Sequence, residues 1–381
     1  MKYKLGEICE IVSGSTPKTS IKEYWDGDVK WITPAELTDD SYIIYDSARK
    51  LTELGVKKTG LSPFPAGTVI LSSRAPIGKV AIAGCEMYCN QGFKNLICSE
   101  RINNKYLYWF LKGNTTFLNS LGRGATFKEI SKGIVSKIEI NVPDLADQEK
   151  AVCNLEKLSE IIQLRKKELN ALNDLIRARF VEMFGDPVTN PFNWEKSQLG
   201  KVCDVRDGTH DSPEYFETGW PLVTSKNVTG GHLDLTSCNY ISEEDYKKIN
   251  ERSKVDSGDI IMPMIGTVGK PVIVDVEPAF AIKNVALIKF PKKSLVSNIY
   301  IRALLESDYF DRAVIDKVRG GTQKFISLGD IRKFEILVPD IEVQNNFATF
   351  VAQVDKSKVA VQKSLDETQL LFNSLMQKYF G

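Results

Sequence analysis

Polar loops beside glycines are the parts of this chain whose side chains suit binding chemistry. An arginine makes bidentate hydrogen bonds to guanine, amides pair with adenine, and Ser and Lys suit phosphate oxygens. Glycine lets the backbone approach a ligand closely. We therefore expect contacts with nucleic acid from a set of loop residues in the first half of the chain: Ser72, Ser73, Arg74, Lys79, Asn90, Gln91, Lys94, Arg123, Thr126 and Lys128.

The second half of the chain carries a corresponding set of polar loops. Residues 207–210 and 224–227 match residues 13–18 and 33–36. Each loop also has a structural interpretation, because a glycine between strands most often marks a turn and a lysine beside it is usually solvated. Phe127 and Phe325, at near-equivalent places, are predicted to be core anchors rather than stacking platforms. The candidate contacts are His210, Ser225, Lys226, Asn227, Thr267, Lys270, Lys283, Asn284, Arg319, Thr322 and Lys324.

Catalytic signatures are missing from the sequence. It holds 2 histidines, which argues against a His-based centre, and neither Gly-Lys pair, at 78–79 or 269–270, continues into the Ser or Thr of a phosphate loop. The Asn-Pro-Pro-aromatic type of motif that clamps a flipped base is absent. The Pro-Asp pairs at 143–144 and 339–340 are better explained as helix entries than as nuclease ligands. We predict no catalytic and no metal-binding residues.

Composition sets broad limits on the class of protein. A chain of 381 residues suggests two or three domains, and 50 Lys plus Arg against 49 Asp plus Glu leaves room for a nucleic-acid binder if basic residues cluster. No signal peptide and no apolar run of membrane-spanning length is found, so we expect a soluble, cytoplasmic protein. The 7 cysteines, an odd number, suggest reduced thiols.

Two long stretches with heptad spacing must position these loops. Residues 147–185 and 343–381 are predicted to be helices, the first roughly 55 Å long, and each needs a long partner to cover its apolar stripe. The first seam comprises Leu155, Ile162, Leu169, Ile176 and Met183, with Leu158, Leu172, Arg165 and Arg179 in its second row. The other comprises Val351, Val354, Val361, Leu365, Phe372, Leu375 and Tyr379.

An internal repeat relates the two halves. Residues 66–82 parallel residues 257–273. Residues 123–144 parallel residues 319–340 with an offset of 196 positions, and the two seams have that same offset. Each copy is a module with short strands between turn residues, predicted to be mixed, mostly antiparallel α+β, followed by a long helix. The predicted boundaries are 1–146, 147–185, 186–342 and 343–381, with a Pro-rich connector that begins at residue 186.

A duplicated module on a helical frame is suited to holding two recognition surfaces at a fixed separation. The modules differ in their polar loops while the frame stays similar. This arrangement suits binding to DNA, because two sites one helical turn apart on a duplex, roughly 34–36 Å, present their grooves on the same face.

As a whole, the chain resembles the specificity subunit of Type I restriction-modification enzymes. The resemblance rests on the doubled layout and on local patterns: Gly14-Ser15-Thr16-Pro17, Trp31-Ile32-Thr33-Pro34, SSRAPIGKVAI from Ser72, Asp207-Gly208-Thr209-His210 and GGTQKFISLGDIRKFEILVPD from Gly320. Residues 262–265 depart from it, being more apolar than residues 71–74.

The resemblance implies two tandem target-recognition domains, each followed by a long helix, with the helices paired as an antiparallel coiled coil. It implies a non-catalytic subunit that recognises a bipartite, asymmetric double-stranded DNA site and recruits two modification (methyltransferase) subunits and restriction/translocase subunits. S-adenosylmethionine, ATP and Mg²⁺ would then belong to those partners and not to this chain. Two alternatives remain at this point: a specificity subunit of a fused, Type IIB-like restriction-methylation enzyme, and a coiled-coil adaptor that binds no DNA.

Overall fold

Short strands and turns build the first module of the chain. The structure is a computed structural model that describes residues 1–74, 76–124, 128–229, 231–264, 270–314 and 325–381. Short 3-10 helices cover Lys22–Tyr24 and Pro34–Glu36. The module's elements are β1 (Lys2–Lys4), α1 (Leu5–Ile8), β2 (Cys9–Ser13), β3 (Trp25–Ile32), β4 (Ile43–Ile44), β5 (Arg49–Leu51), α2 (Glu53–Thr59), β6 (Val69–Leu71), β7 (Val80–Ala83), β8 (Tyr88–Cys89), β9 (Lys94–Cys98), α3 (Asn104–Gly113), α4 (Thr115–Ser120), α5 (Lys132–Val135) and β10 (Glu139–Asn141).

Three small sheets organise these strands. The largest has the order β2-β9-β6-β7-β4, with β4 parallel to β7 and the other pairs antiparallel. A second has the order β5-β3-β8, and β1 pairs with β10. Helix α3 is buried from Tyr106 to Leu111 because it lies inside the main core, where its aromatic side chains pack. The mixed, mostly antiparallel α+β architecture predicted for the module is therefore confirmed.

The second module repeats this plan. Its described strands form sheets with the orders β12-β20-β17-β18, β16-β13-β19, β14-β15 and β11-β21. A 3-10 helix covers Ser225–Asn227. The elements are β11 (Glu195–Gln198), α7 (Leu199–Val202), β12 (Asp204–Asp207), β13 (Trp220–Val223), β14 (Val228–Thr229), β15 (His232–Leu233), β16 (Asn239–Ile241), α8 (Glu243–Ser253), β17 (Ile260–Pro263), β18 (Val272–Ile273), β19 (Ala281–Ile282), β20 (Val285–Lys289), α9 (Asn298–Leu305), α10 (Asp308–Ala313), α11 (Leu328–Lys333) and β21 (Glu335–Val338).

The two predicted long helices are present and pack together. They are α6 (Leu145–Phe184) and α12 (Ile341–Phe380), each of 40 residues. The chain divides into one unit of residues 1–166 and 363–381 and another of residues 167–362. In the first unit, Asn154 near the start of α6 donates to the Tyr379 hydroxyl near the end of α12, at 3.0 Å. In the second, Phe180 near the end of α6 packs on Phe347 near the start of α12. The pairing is thus antiparallel, as expected.

The predicted seams are the buried faces of these helices. Leu155 and Ile162 of α6 and Val351, Val354 and Val361 of α12 are buried. The remaining seam positions are half-buried, including Arg165 and Arg179. The heptad spacing therefore identified the contact surface correctly, because side chains at that spacing lie on one face of a helix.

A buried glutamine repeats at the start of each long helix. Gln148 accepts from the Asn103 backbone at 2.8 Å and donates to the Arg101 and Pro143 carbonyls at 3.1 and 2.9 Å. Gln344, 196 positions later, accepts from the Ser297 backbone N–H and donates to the Leu295 and Pro339 carbonyls. Each side chain therefore ties the entry of a long helix to the loop before α3 or α9.

The helix entry itself has the predicted capping residue. The Asp144 carboxylate accepts from the Asp147 backbone N–H at 2.9 Å, which satisfies one of the unpaired donors of the first turn. Helix α6 begins at Leu145, two positions before the predicted start, and ends at Phe184. Gly185 follows with φ 77°, the left-handed conformation that commonly ends a helix.

Candidate nucleic-acid interface

Three loops of the first module meet at one end of its strands. The Ser15 N–H donates to the Cys89 carbonyl at 3.0 Å, and the Asn90 N–H donates to the Ile32 carbonyl at 3.1 Å. The Thr16 hydroxyl then donates to the Gln91 side-chain oxygen. Gly14 makes this approach possible, because a Cβ there would overlap the Cys89 carbonyl. Residues 13–18, 33–36 and 90–91 consequently form one surface.

The second module brings together the equivalent loops in the same way. The Thr209 N–H donates to the Ile282 carbonyl at 3.0 Å, and the Lys283 N–H donates to the Val223 carbonyl at 2.9 Å. His210 Nδ1 lies 2.8 Å from Asn284 Oδ1. His210 and Asn284 thus stand where the first module has Thr16 and Gln91. The backbone arrangement is repeated, whereas the side chains that it presents differ.

A capped turn supports each of these surfaces. Thr33 donates from its backbone N–H and its hydroxyl to Glu36 Oε1, at 2.7 and 2.9 Å. Thr224 makes the same pair of hydrogen bonds to Asn227 Oδ1. Asn227 is only 4% exposed, so its amide stabilises the turn and does not reach outward in this structure. The predicted contact at Asn227 is thereby corrected to a structural role.

Ser72, Ser73 and Lys79 also hold the protein together and do not project from it. Ser72 is fully buried, and its hydroxyl donates to the Pro76 carbonyl at 2.7 Å while accepting from the Lys79 N–H. Ser73 is equally buried. The Lys79 ammonium donates to the Leu37 carbonyl at 2.5 Å. In this conformation the burial of Ser72 and Ser73 excludes direct contacts between their side chains and DNA. A contact between Lys79 and DNA would compete with the hydrogen bond from Lys79 to the Leu37 carbonyl.

A glutamate that the sequence reasoning missed organises the cations of the first module. Glu129 accepts from Arg74 Nε at 2.9 Å and from the Lys94 ammonium at 3.3 Å. The Lys94 side chain is 8% exposed and the Arg74 side chain 44%. Burial raises the pKa of Glu129, but the hydrogen bonds from Arg74 and Lys94 outweigh it and leave that pKa below its ordinary value. Lys94 therefore supports the site from within, and Arg74 projects from it.

The loop that contains Glu129 adds two exposed cations. Arg123 and Glu129 exchange backbone hydrogen bonds of 3.0 and 2.9 Å, which close the loop. Arg123 and Lys128 are exposed. Thr126 and Phe127 lie outside the described residues. Arg74, Arg123 and Lys128 are thus positive side chains around one loop, and Asn90 and Gln91 lie on the neighbouring turn, where the Asn90 amide oxygen accepts from Gly92 at 2.9 Å.

A second acidic residue organises the second module. The Asp207 carboxylate, whose side chain is 10% exposed, contacts Arg252 through Oδ1 and lies 2.9 Å from His210 Nε2 through Oδ2. Hydrogen bonds with Asn284 and Asp207 raise the pKa of His210, while partial burial and the Arg252 charge act against them. Arg252 lies on helix α8, outside the polar loops, and 45 positions from Asp207. The sequence therefore gave no indication that these two residues form a pair.

The other candidates of the second module divide into two groups. Lys283 is buried and donates to Ser212 Oγ at 2.6 Å, and the half-buried Ser225 donates to the Asn284 carbonyl at 3.4 Å. Lys226 and Lys270 are exposed. The remaining candidates lie outside the described residues: Thr267, Arg319, Thr322 and Lys324.

Phe325 is not the core anchor that the sequence suggested. Its side chain is 49% exposed, although the following residue, Ile326, is fully buried. The Ile326 N–H donates to the Met264 carbonyl at 2.9 Å, just as the Ile130 N–H donates to the Ser73 carbonyl in the first module. The strand-like pairing at this point turns Ile326 inward and Phe325 outward, because successive side chains of an extended chain alternate in direction.

Among the described residues, no group of three or more His, Cys, Asp or Glu side chains is arranged to hold a metal ion. In the same part of the chain, no helix is both long and apolar enough to cross a membrane.

Comparison with known proteins gives a consistent assignment. The family model described as "Type I restriction modification DNA specificity domain" matches residues 1–174 and again residues 191–368. The specificity subunit of the Type I restriction enzyme MjaIX from Methanocaldococcus jannaschii is 31% identical, over 98% of this chain and 91% of its own. The MjaVIII specificity subunit of the same organism is 24% identical over 92% of this chain and 85% of its own.

Solved structures agree at the level of the fold. The S subunit of a Type I restriction-modification system from M. genitalium aligns over 100% of this chain and 96% of its own, with a TM-score of 0.58 and 14% identity. A structure described in terms of complex assembly and conformational transition of the Type I R-M system covers 100% and 97%, with a TM-score of 0.62 and 18% identity.

Proposed function

We propose the following function for this chain, which belongs to the family of Type I restriction-modification DNA specificity subunits: each module reads one half of a bipartite, asymmetric DNA site. The paired helices α6 and α12 act as the spacer between the two readings. The chain itself is non-catalytic and works in the cytoplasm, where it directs methylation or restriction that its partners carry out.

One observation carries this proposal: equivalent loops have the same backbone hydrogen bonds and different outward side chains. Thr16 and Gln91 in the first module are replaced by His210 and Asn284 in the second. A duplicated binding surface that kept one ligand would be expected to keep its contact residues. A surface that reads a different base sequence needs the same support with other hydrogen-bonding groups, since base edges differ in their donors and acceptors.

The partners follow from the family and from the absent catalytic motifs. Two modification subunits would supply S-adenosylmethionine-dependent methylation of adenine, and restriction/translocase subunits would supply ATP- and Mg²⁺-dependent translocation and cleavage. The contacts of this chain with DNA would come from Arg74, Gln91, Arg123 and Lys128 in the first module. In the second they would come from Asn284, Lys226, Lys270 and the candidates beyond the described residues.

Arg74 is the strongest candidate for a base contact. Among the described residues, the Arg74 side chain donates from Nε to Glu129, and this hydrogen bond fixes the direction of the guanidinium group. The terminal N–H groups of Arg74 are then left for guanine O6 and N7. Arg123 and Lys128 suit phosphates, because they are exposed cations on a Gly-containing loop. The affinity for DNA should therefore fall as the salt concentration rises, since phosphate contacts release counterions.

The test is co-expression with a modification subunit, followed by genome-wide mapping of methylated adenines. We expect one split motif with a fixed gap. Arg74→Ala should reduce the discrimination against wrong bases at one position in one half of the motif. The expected reduction in the ratio of affinities is about 5- to 150-fold, equivalent to about 1–3 kcal/mol. Lys137→Ala, at an exposed cationic residue next to β10, is the matched control and should leave the motif intact.

The alternatives give different results in the same experiment. A partner complex that forms without methylating DNA would support a coiled-coil adaptor. A continuous motif would refute the spacer role of the helices. Cleavage next to the site by a single partner that also methylates would indicate the fused, Type IIB-like arrangement, although the family match names a Type I specificity domain.

A further inference from the structure

His210 lies between two side-chain oxygens. Its Nδ1 is 2.8 Å from Asn284 Oδ1 and its Nε2 is 2.9 Å from Asp207 Oδ2. An imidazole can donate from both nitrogens only when it carries two protons and a positive charge. With these two oxygens as partners, both hydrogen bonds form together only when the ring is an imidazolium. With Oδ1 of Asn284 turned to the ring, the amide nitrogen is directed away from it.

Loss of one proton changes the best orientation of the amide. If Nε2–H remains on the Asp207 carboxylate, Nδ1 becomes an acceptor and faces a second acceptor at 2.8 Å. Rotation of the Asn284 amide by half a turn restores the hydrogen bond, because the amide nitrogen then donates to Nδ1. The carbonyl oxygen of Asn284 is then the atom directed away from the ring.

We propose, resting on the DNA-reading function above, that His210 is a positioning residue that sets which hydrogen-bonding group Asn284 presents to DNA. The charged ring presents the amide nitrogen, a donor that fits acceptors such as guanine O6 and N7. The neutral ring presents the carbonyl oxygen together with one N–H, the combination that fits N6 and N7 of adenine. The base preference of the second module at this position therefore depends on pH.

The backbone around Asn284 is fixed, which confines the change to the side chain. Asn284 has φ 55°, its N–H donates to the Thr209 carbonyl at 3.2 Å, and its carbonyl accepts from Ser225 Oγ. The side chain is half-buried, so its amide has a defined neighbour on the protein side and an open side.

The charges that act on His210 come from two elements. Asp207 on β12 favours the imidazolium, and Arg252 on α8 opposes it while also pairing with Asp207. On the turn before β20, the Lys283 ammonium donates to Ser212 Oγ at 2.6 Å. The hydrogen bonds with Asn284 and Asp207 together raise the pKa of His210 above its ordinary value.

The first module provides an internal control. Thr16 occupies the place of His210 and hydrogen-bonds to Gln91 through a hydroxyl, which does not titrate in this range. The preference of the first half-site should therefore be independent of pH, and the response should be confined to one position of the second half-site.

The experiment selects DNA from a duplex pool randomised in both half-sites, with the full chain, at about pH 6 and about pH 9. We expect the wild type to change its preference at one position of one half-site by about fivefold or more. His210→Gln, which has no titrating group, should show one preference at both pH values. Asn284→Ala should lose the preference at that position at both pH values.

The outcomes separate this inference from the function on which it rests. Selective binding in both half-sites with no pH-dependent position, or a pH-dependent position that persists in His210→Gln, would overturn the role of His210 and leave the DNA-reading function standing. An absence of sequence preference in both half-sites would overturn that function.

A second measurement needs no DNA. In the full chain labelled with ¹⁵N-asparagine, the Asn284 side-chain amide signal should titrate together with the His210 ring. It should not titrate in His210→Gln. An Asn284 amide signal that ignores the ionisation of His210 would refute the proposal.

Discussion

The buried glutamine that begins α12 gives a direct quantitative test of the repeated frame. We consider Gln344→Leu, which keeps the size of the side chain and removes its hydrogen bonds. In the native chain Gln344 is fully buried, accepts from the Ser297 N–H at 2.8 Å, and donates to Leu295 and Pro339 carbonyls at 2.9 and 2.8 Å. The substitution leaves these three backbone groups without their partner.

The magnitude follows from those three groups. An unpaired buried polar group costs about 1–3 kcal/mol. The Pro339 carbonyl is buried, whereas Ser297 is half-buried and Leu295 is exposed, so the three groups together cost about 4 kcal/mol. Burial of the leucine side chain offsets about 2 kcal/mol of this. The free energy of unfolding should therefore fall by about 2 kcal/mol, within the range that single destabilising substitutions usually show.

Urea unfolding followed by tryptophan fluorescence measures the total loss, and hydrogen exchange localises it. Exchange should accelerate first in the peptide that covers Ser297 and α9, because Gln344 holds the entry of that helix. Gln353→Leu, at an exposed position of the same helix, is the matched control and should change stability by less than about 0.5 kcal/mol.

The repeat supplies a second, independent check. Gln148→Leu removes the corresponding hydrogen bonds to Asn103, Arg101 and Pro143, so the two substitutions should cost the same within about 1 kcal/mol. A loss below about 1 kcal/mol for both would refute the reasoning that these glutamines hold the helix entries. A large loss for only one would refute their equivalence.

Further predictions concern the supports of the first binding surface. Glu129→Gln should lower stability by about 1–2 kcal/mol in urea unfolding, because the nearly buried Lys94 ammonium loses its carboxylate. Folding lowers the pKa of Glu129, so the stability that this carboxylate contributes is present above its ordinary pKa and is lost as the pH falls through the lowered value. Glu129→Gln should therefore remove this part of the acid-induced loss of stability. An unchanged dependence of stability on acid pH in the variant would contradict this prediction. Gly14→Ala should destabilise by about 1–3 kcal/mol, because the added Cβ overlaps the Cys89 carbonyl, whereas Gly133→Ala, whose nearest atom would be 3.9 Å away, should be neutral in the same measurement.

Much of the frame could be predicted because it depends on local periodicity. Heptad spacing predicted helices at 147–185 and 343–381, and the structure has them at Leu145–Phe184 and Ile341–Phe380. Strand β7 lies at Val80–Ala83, where a run of small and branched apolar residues between glycines is typical of a buried strand. The identical offset of 196 positions made the duplication visible without any structure.

The directions of the candidate side chains could not be predicted from the sequence, because side-chain direction in loops depends on distant contacts. The sequence selected polar residues near glycines, and the structure divides them into outward ones such as Arg74 and inward ones such as Ser72 and Lys94. Ser72 faces inward because its hydroxyl completes the hydrogen bonds of its own loop. No pattern of residue types distinguishes these two cases.

The sequence by itself determined the duplication, the helical frame, the α+β class of the modules and the family. These features follow from spacing along the chain, where periodicity and repetition can be read directly. Only the tertiary structure decided which side chains form the surface and what holds them. The Arg74–Glu129 and Asp207–Arg252 pairs join residues 55 and 45 positions apart, and long-range tertiary packing, not local sequence, brings them together. The different roles of Thr16 and His210 became comparable only once their backbones were placed in equivalent turns.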